Sequence, residues 1–228
     1  MTIRGLALSA MLALALPGCA SHQAVVSAKP AAVVELAHAG QTPTWQTIAT
    51  PADIARIEAL PGRLAQARAG VPAHLAGRMR AEGPLVDTDA AQQMPQLPPG
   101  SYYCRLLRFG GRGRFQAFAP DFCYVDIGPK GLSFTKQTGS NLPQGYLHPD
   151  GDRRQVFLGT MRTAGVRGGG GTYGQDASAD QVGIVERVAP FRWRLIMDRA
   201  GQGAALDMYE LVPVPGTVPG AKPATQPG

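Results

Sequence analysis

An α+β fold, with a short N-terminal helical unit followed by a mainly antiparallel β-meander or small β-barrel, is predicted by three features of the sequence. Residues 44–82 are rich in Ala, Arg and Leu, and their apolar residues recur at roughly helical spacing. From Ser101 the texture changes to short runs of period two, separated by Gly, Pro, Asn and Asp. The clearest run sets Phe191, Trp193, Leu195 and Met197 against Arg192, Arg194 and Asp198, which predicts one face on a core and the other in solvent. The chain has 228 residues, enough for one or two domains, and its 44% hydrophobic content excludes wholesale disorder.

The start of the chain reads as a targeting signal. Arg4 supplies a positive start, Leu6–Leu16 forms a weakly polar-to-apolar run, and Leu16-Pro17-Gly18-Cys19 closes it. That run has the length of a signal-peptide core, roughly 7–15 residues, and falls short of the ~20 needed to cross a bilayer as a helix. A cysteine directly after a small residue here resembles a bacterial lipobox, in which the thiol is acylated and the chain is cut before it. The alternative is an ordinary secretory peptide that discards Cys19. On the lipobox reading residues 1–18 are a signal peptide and 19–43 a lipidated tether. Several acyl chains, at ~0.8 kcal/mol per buried CH₂, would hold the domain on the membrane. Ala20 and Ser21 follow the cysteine with no Asp, which by the sorting rules of lipoproteins favours the outer membrane, facing the periplasm. The mature chain would carry 21 basic and 16 acidic side chains, a net charge of +5. In that compartment the excess suits anionic envelope polymers or lipids better than nucleic acid.

In the helical unit, 44–82, Thr50 is placed as N-cap with Pro51 at the first helical position. Ile54, Ile57, Ala59 and Leu60 follow at helical spacing until Pro61-Gly62, where a break is expected. Leu64, Ala67, Val71, Leu75 and Met79 resume the stripe, with a second break near Gly70-Val71-Pro72. Trp45 is expected to anchor this unit on the β-domain. Residues 83–100, with Pro84, Pro95, Pro98 and Pro99, read as a linker. The β-domain, 101–213, holds nine candidate strands: Ser101–Phe109, Phe115–Phe118, Phe122–Ile127, Leu132–Gln137, Gln144–His148, Gln155–Met161, Gln181–Val188, Phe191–Met197 and Leu206–Val212. Residues 214–228 read as a disordered Pro-rich tail.

With Cys19 assigned to lipid, Cys104 and Cys123 remain as an even pair in an oxidising compartment. A disulfide between them would contribute roughly 3 kcal/mol in the loop-entropy account; the alternative is two buried thiols. Neither HExxH nor paired Cys/His spacing is present, so no metal site is expected and no cofactor is indicated. Gly139-Ser140-Asn141 lacks the nucleophile-elbow pattern, and Gly168–Gly171 lacks the Lys-Ser/Thr ending of a phosphate loop. Arg105, Arg108, Arg112 and Arg114 cluster around the first hairpin as a candidate anion-binding edge, or as charges that discourage edge-to-edge strand pairing. Asp176, Asp180 and Glu186 are the candidate acidic site, for a cation or for acid–base chemistry. Glu186-Arg187 and Arg192/Arg194 are placed to pair across adjacent strands.

Seven segments carry a family resemblance: Tyr102-Tyr103-Cys104-Arg105, Gly131–Lys136 with Gly139-Ser140, Arg154–Gly159, Tyr173-Gly174-Gln175-Asp176, Gly183–Arg187, Arg192–Leu195 and Leu206–Pro213. In this order they resemble an uncharacterised family of bacterial envelope lipoproteins, domain of unknown function 4893. The resemblance implies a domain from about Trp45 to Pro213 and brings no activity, substrate or catalytic residue. The sequence thus points to a lipid-anchored envelope protein whose β-domain is a non-enzymatic binding or scaffolding module for an envelope protein or small ligand. The alternatives are a periplasmic protease inhibitor and an enzyme acting on envelope glycans or lipids through its carboxylates. The sequence gives no oligomeric state.

Overall fold

Three helices lead the fold: α1 (Trp45–Ile48), α2 (Pro51–Ala69) and α3 (Ala73–Arg80), followed by a 3₁₀ turn at Gly83–Leu85. The computed structural model describes residues 44–110, 114–163, 171–198 and 205–215. The expected signal peptide and tether with Cys19, Arg112, Gly168–Gly170 and residues 216–228 of the expected tail lie outside the described residues. Helix α2 starts as expected: the Thr50 side chain accepts from the Asp53 amide at 3.1 Å, and Pro51 takes the first turn. It does not break at Pro61. Ile57, Leu60 and Leu64 are at most 1% exposed. Burying three such side chains contributes roughly 5–9 kcal/mol, against ~3 kcal/mol for an internal proline, so the helix continues through it. The chain does turn at Gly70–Pro72, where α3 begins.

Eight antiparallel strands close into a barrel in sequence order: β1 (Gly100–Phe109), β2 (Phe115–Gly128), β3 (Gly131–Lys136), β4 (Asn141–Asp150), β5 (Arg154–Thr163), β6 (Asp180–Ala189), β7 (Arg192–Asp198) and β8 (Leu206–Pro213). Pairing of β8 with β1, from Tyr103↔Val212 to Phe109↔Leu206, completes the ring and leaves no free sheet edge. The second and third expected strands are one. Pro120 donates no ladder hydrogen bond, and the register slips between Arg105↔Pro120 and Leu107↔Ala117, so β2 bends at a bulge without ending.

Eight strands enclose an interior just wide enough for side chains. Alternate residues fill it, among them Phe134 and Phe157 edge to face at 6.0 Å and Tyr102 and Trp193 at 6.3 Å. Cys104 and Cys123 are joined by a disulfide across β1 and β2 in this core. Gly145 and Gly159 face each other across β4 and β5, where the backbones come so close that a Cβ on either would sit 2.2–2.4 Å from its neighbours. Only glycine permits that approach.

The outside of the barrel is asymmetric. Helix α2 lies over β6, β7 and β8, and its apolar stripe packs with Ile184, Ile196 and Met208. Strand β7 is therefore buried on both faces. Its outward side, expected in solvent, has Arg194 only 1% and Asp198 3% exposed. Phe191, expected in the strand, is instead a turn residue, 74% exposed. Arginine–carboxylate pairs fasten the helical unit: Arg56 and Arg63 on Asp198, Arg154 on Glu58, and Arg105 between Glu82 and Glu210. The linker is a packed strap: Leu85 and Val86 join the outer core, Gln92 bridges to Arg187, and Leu97 enters the inner core.

His148, on the outer side of β4, is 8% exposed, and burial lowers its pKa below 6.5. The native state then resists a proton that the unfolded chain accepts, so stability is full above pH 6.5 and falls as pH drops through the window beneath it. We expect the urea midpoint to decline from pH 7.5 to 5.5, and His148→Gln to flatten that decline. An equal slope in the variant would remove His148 as the cause.

Candidate functional site

The structure distributes the candidate residues rather than gathering them. Arg105 and Arg108 occupy opposite sides of β1. Arg105 is held by Glu82 and Glu210 outside the barrel, whereas Arg108 makes two 2.8 Å hydrogen bonds to Asp207. Arg114 sits in the β1–β2 connection with a φ of 57°. Two of the four arginines are thus committed to carboxylates, and no shared anion-binding edge forms among the described residues. The acidic trio is not gathered either: Asp176 and Asp180 share one turn, and Glu186 stands apart. Asp176 is exposed and caps its own turn, accepting from the Ser178 amide and hydroxyl, which lower its pKa. Asp180 is 6% exposed and accepts from the Gly174 amide with both oxygens. Burial raises its pKa, and the neighbouring charge of Asp53 pushes the same way. Glu186 lies six positions further along β6, about 20 Å at strand rise, and pairs with Arg194 as expected. These three carboxylates do not converge on one reacting centre. Among the described residues no group of three His, Cys, Asp or Glu side chains is placed to hold a metal.

What the fold does assemble lies on the open side of the barrel, across β3 and β4. A cleft of about 260 Å³ is lined by Ser133, Thr135, Gln144, Gly145, Tyr146, Gly171, Thr172 and Tyr173. Register explains the grouping: Ser133 pairs with Tyr146 and Thr135 with Gln144, so all four project outward side by side. The segment after β5 forms the other wall, with Gly171 accepting from the Gln144 amide at 3.1 Å. A bare Gly128 makes room for the Tyr146 ring, since a Cβ there would lie 3.2 Å from it.

The second wall is fixed from α2. The Tyr173 hydroxyl donates to Asp53 Oδ2 at 2.5 Å and accepts from the Thr50 amide at 3.0 Å. Burial alone would raise the pKa of Asp53. Hydrogen bonds from Tyr173, Thr50 and Arg56 outweigh it and hold the carboxylate below its usual value. The helix cap of α2 is therefore also the support of the cleft. Hydrogen bonding is the chemistry on offer: among the described residues no carboxylate, imidazole or thiol lines the cleft, and its polar side chains carry hydroxyls and one amide.

The cleft continues into exposed rings. Tyr124 stands opposite Thr135 across β2 and β3, and Phe122 stands opposite Tyr103, with ring centroids 5.3 Å apart. These three rings are 40–48% exposed. Sequence reasoning passed over this surface, although a signal was present: in Leu132–Lys136 and Gln144–His148 the outward positions carry Ser, Thr, Gln and Tyr.

The profile of the family described as domain of unknown function (DUF4893) matches residues 45–211. No curated protein and no solved structure matches the chain.

Proposed function

The chain belongs to the DUF4893 family, a domain of unknown function, and we propose that it is a lipid-anchored protein of the cell envelope whose barrel is a non-enzymatic binding module. The observation that carries this reading is the asymmetry of the barrel surface. Its β6–β8 side is sealed by α2 and buried ion pairs, while its β1–β4 side keeps a polar cleft beside three exposed aromatic rings. Exposed rings next to an open cleft of hydroxyl and amide side chains favour recognition over mere solubility. The anchor rests on the Leu6–Leu16 run ending in Gly18-Cys19, and the compartment is in keeping with the disulfide. Enzymatic use of two of Asp176, Asp180 and Glu186 is disfavoured because Asp176 caps its own exposed turn and Glu186 is paired with Arg194.

Native mass spectrometry of the protein extracted from membranes tests the proposal. The expected species begins at Cys19, carries acyl chains and retains a bound molecule or partner that Tyr124→Ala releases. Tight one-to-one retention of a protease would favour the inhibitor alternative. An unacylated chain lacking Cys19, with nothing bound, would overturn both the anchor and the binding role.

A further inference from the structure

We propose that the open β1–β4 face binds an uncharged glycan; this deepens the binding-module reading and rests on it. Among the described residues the cleft lining carries no formal charge, and Thr135, Thr172, Tyr146 and Gln144 offer donors and acceptors together. A polyhydroxylated ring presents the same mixture. An anion would need free cations, yet among the described residues Arg105 is held by Glu82 and Glu210, and Arg162, on β5 beside the cleft, donates to the Lys136 carbonyl. An acyl chain would bury those hydroxyls without partners, which is costly.

The aromatic strip supplies the second element of recognition. The apolar C–H faces of sugar rings pack on flat side chains, and the exposed rings of Tyr103, Phe122 and Tyr124 lie on β1 and β2, from which register leads into the cleft at Thr135. Strands lie about 4.8 Å apart, so the path from β1 to β4 covers about 14 Å. That length suits a chain of rings better than a single one. Thr50 and Asp53 act as positioning residues, since they fix the Tyr173 hydroxyl and with it the cleft wall.

The experiment is an array of neutral and acidic oligosaccharides probed with the full-length protein in detergent, followed by calorimetric titration of the strongest neutral binder at low and high salt. The expected result is salt-insensitive binding of at least one neutral tetrasaccharide, with its constituent monosaccharide much weaker. Thr135→Val and Tyr124→Ala should each weaken it roughly tenfold, while Arg78→Ser on exposed α3 should not. Unchanged near-ultraviolet circular dichroism verifies that each variant is folded. Binding confined to acidic glycans, no glycan binding, or binding indifferent to both cleft-side variants would each overturn the inference. If no glycan binds but a membrane-extracted partner is still released by Tyr124→Ala, the ligand class is wrong and the binding module stands. If neither is seen, both fall.

Discussion

Replacing Arg194 by alanine is expected to lower the free energy of unfolding by about 3–5 kcal/mol, the range for removing one partner of a buried ion pair. Arg194 is 1% exposed, and its guanidinium reaches in two directions. Nε and Nη2 both contact Glu186 on β6 at 2.7 Å, while Nη1 donates to the carbonyls of Leu85 at 2.8 Å and Asp87 at 2.5 Å. One side chain thus joins two strands to the strap that carries the helical unit over the barrel. Its removal leaves the Glu186 charge and two strap carbonyls without their donor inside a covered interface. Arg194→Lys keeps the charge but lacks the planar fork needed to serve both directions, so an intermediate loss is expected. The double variant Arg194→Met/Glu186→Leu should recover the share of the deficit due to the Glu186 charge, because apolar residues of similar volume carry no unpaired charge, while the strap carbonyls stay without their donor. Urea denaturation of the wild type, Arg194→Met, Glu186→Leu and the double variant measures this as a coupling energy. Additive losses in the double variant would show that the strap, and not the ion pair, sets the stability.

The same residue shows what was legible in the sequence. Period-two runs from Ser101 onward disclosed the barrel, because lumen-facing residues such as Trp193, Leu195 and Met197 are apolar whatever lies outside. The outward side of β7 was misread because Arg194 and Asp198 are charged, and a charge in a single sequence looks the same in water and in a buried ion pair. Helix α2 and its cap at Thr50 were visible in local chemistry. Its passage through Pro61 was not, since that depends on docking against strands more than a hundred residues away. The merger of two expected strands into β2 was hidden for a similar reason: Pro120 and its neighbours form a bulge only because β1 holds both halves in register.

The cleft was the least legible feature. It needs β3 and β4 paired in one register, a turn after β5 folded back upon them, and Tyr173 reaching Asp53 across 120 positions. None of these residues is unusual alone. Serines, threonines and a glutamine on outward strand positions become a site only when the surface around them is left open, and that follows from where α2 docks.

Loss of the Cys104–Cys123 bridge is the second large effect expected, about 3 kcal/mol for a sequence separation of 19 residues. The bridge spans β1 and β2 diagonally: Tyr102 pairs with Cys123, and Cys104 with Asp121, so the sulfurs connect neighbouring rungs of the hairpin. Both cysteines are at most 2% exposed, beside Tyr102 and Val125. The bridge also lies just below the bulge at Pro120, where the ladder between these strands is interrupted. Tethering there restricts the unfolded chain and holds the hairpin closed at the place where hydrogen bonding does so least. Cys104→Ala/Cys123→Ala removes the tether while keeping small apolar side chains inside. We expect its chemical-denaturation midpoint to fall to that of the wild-type protein unfolded with excess reductant, since the two share the missing constraint. A wild-type midpoint unmoved by reductant, with free thiols verified by mass, would mean that the closed barrel sustains itself. The disulfide would then be a consequence of the compartment and not a support of the fold.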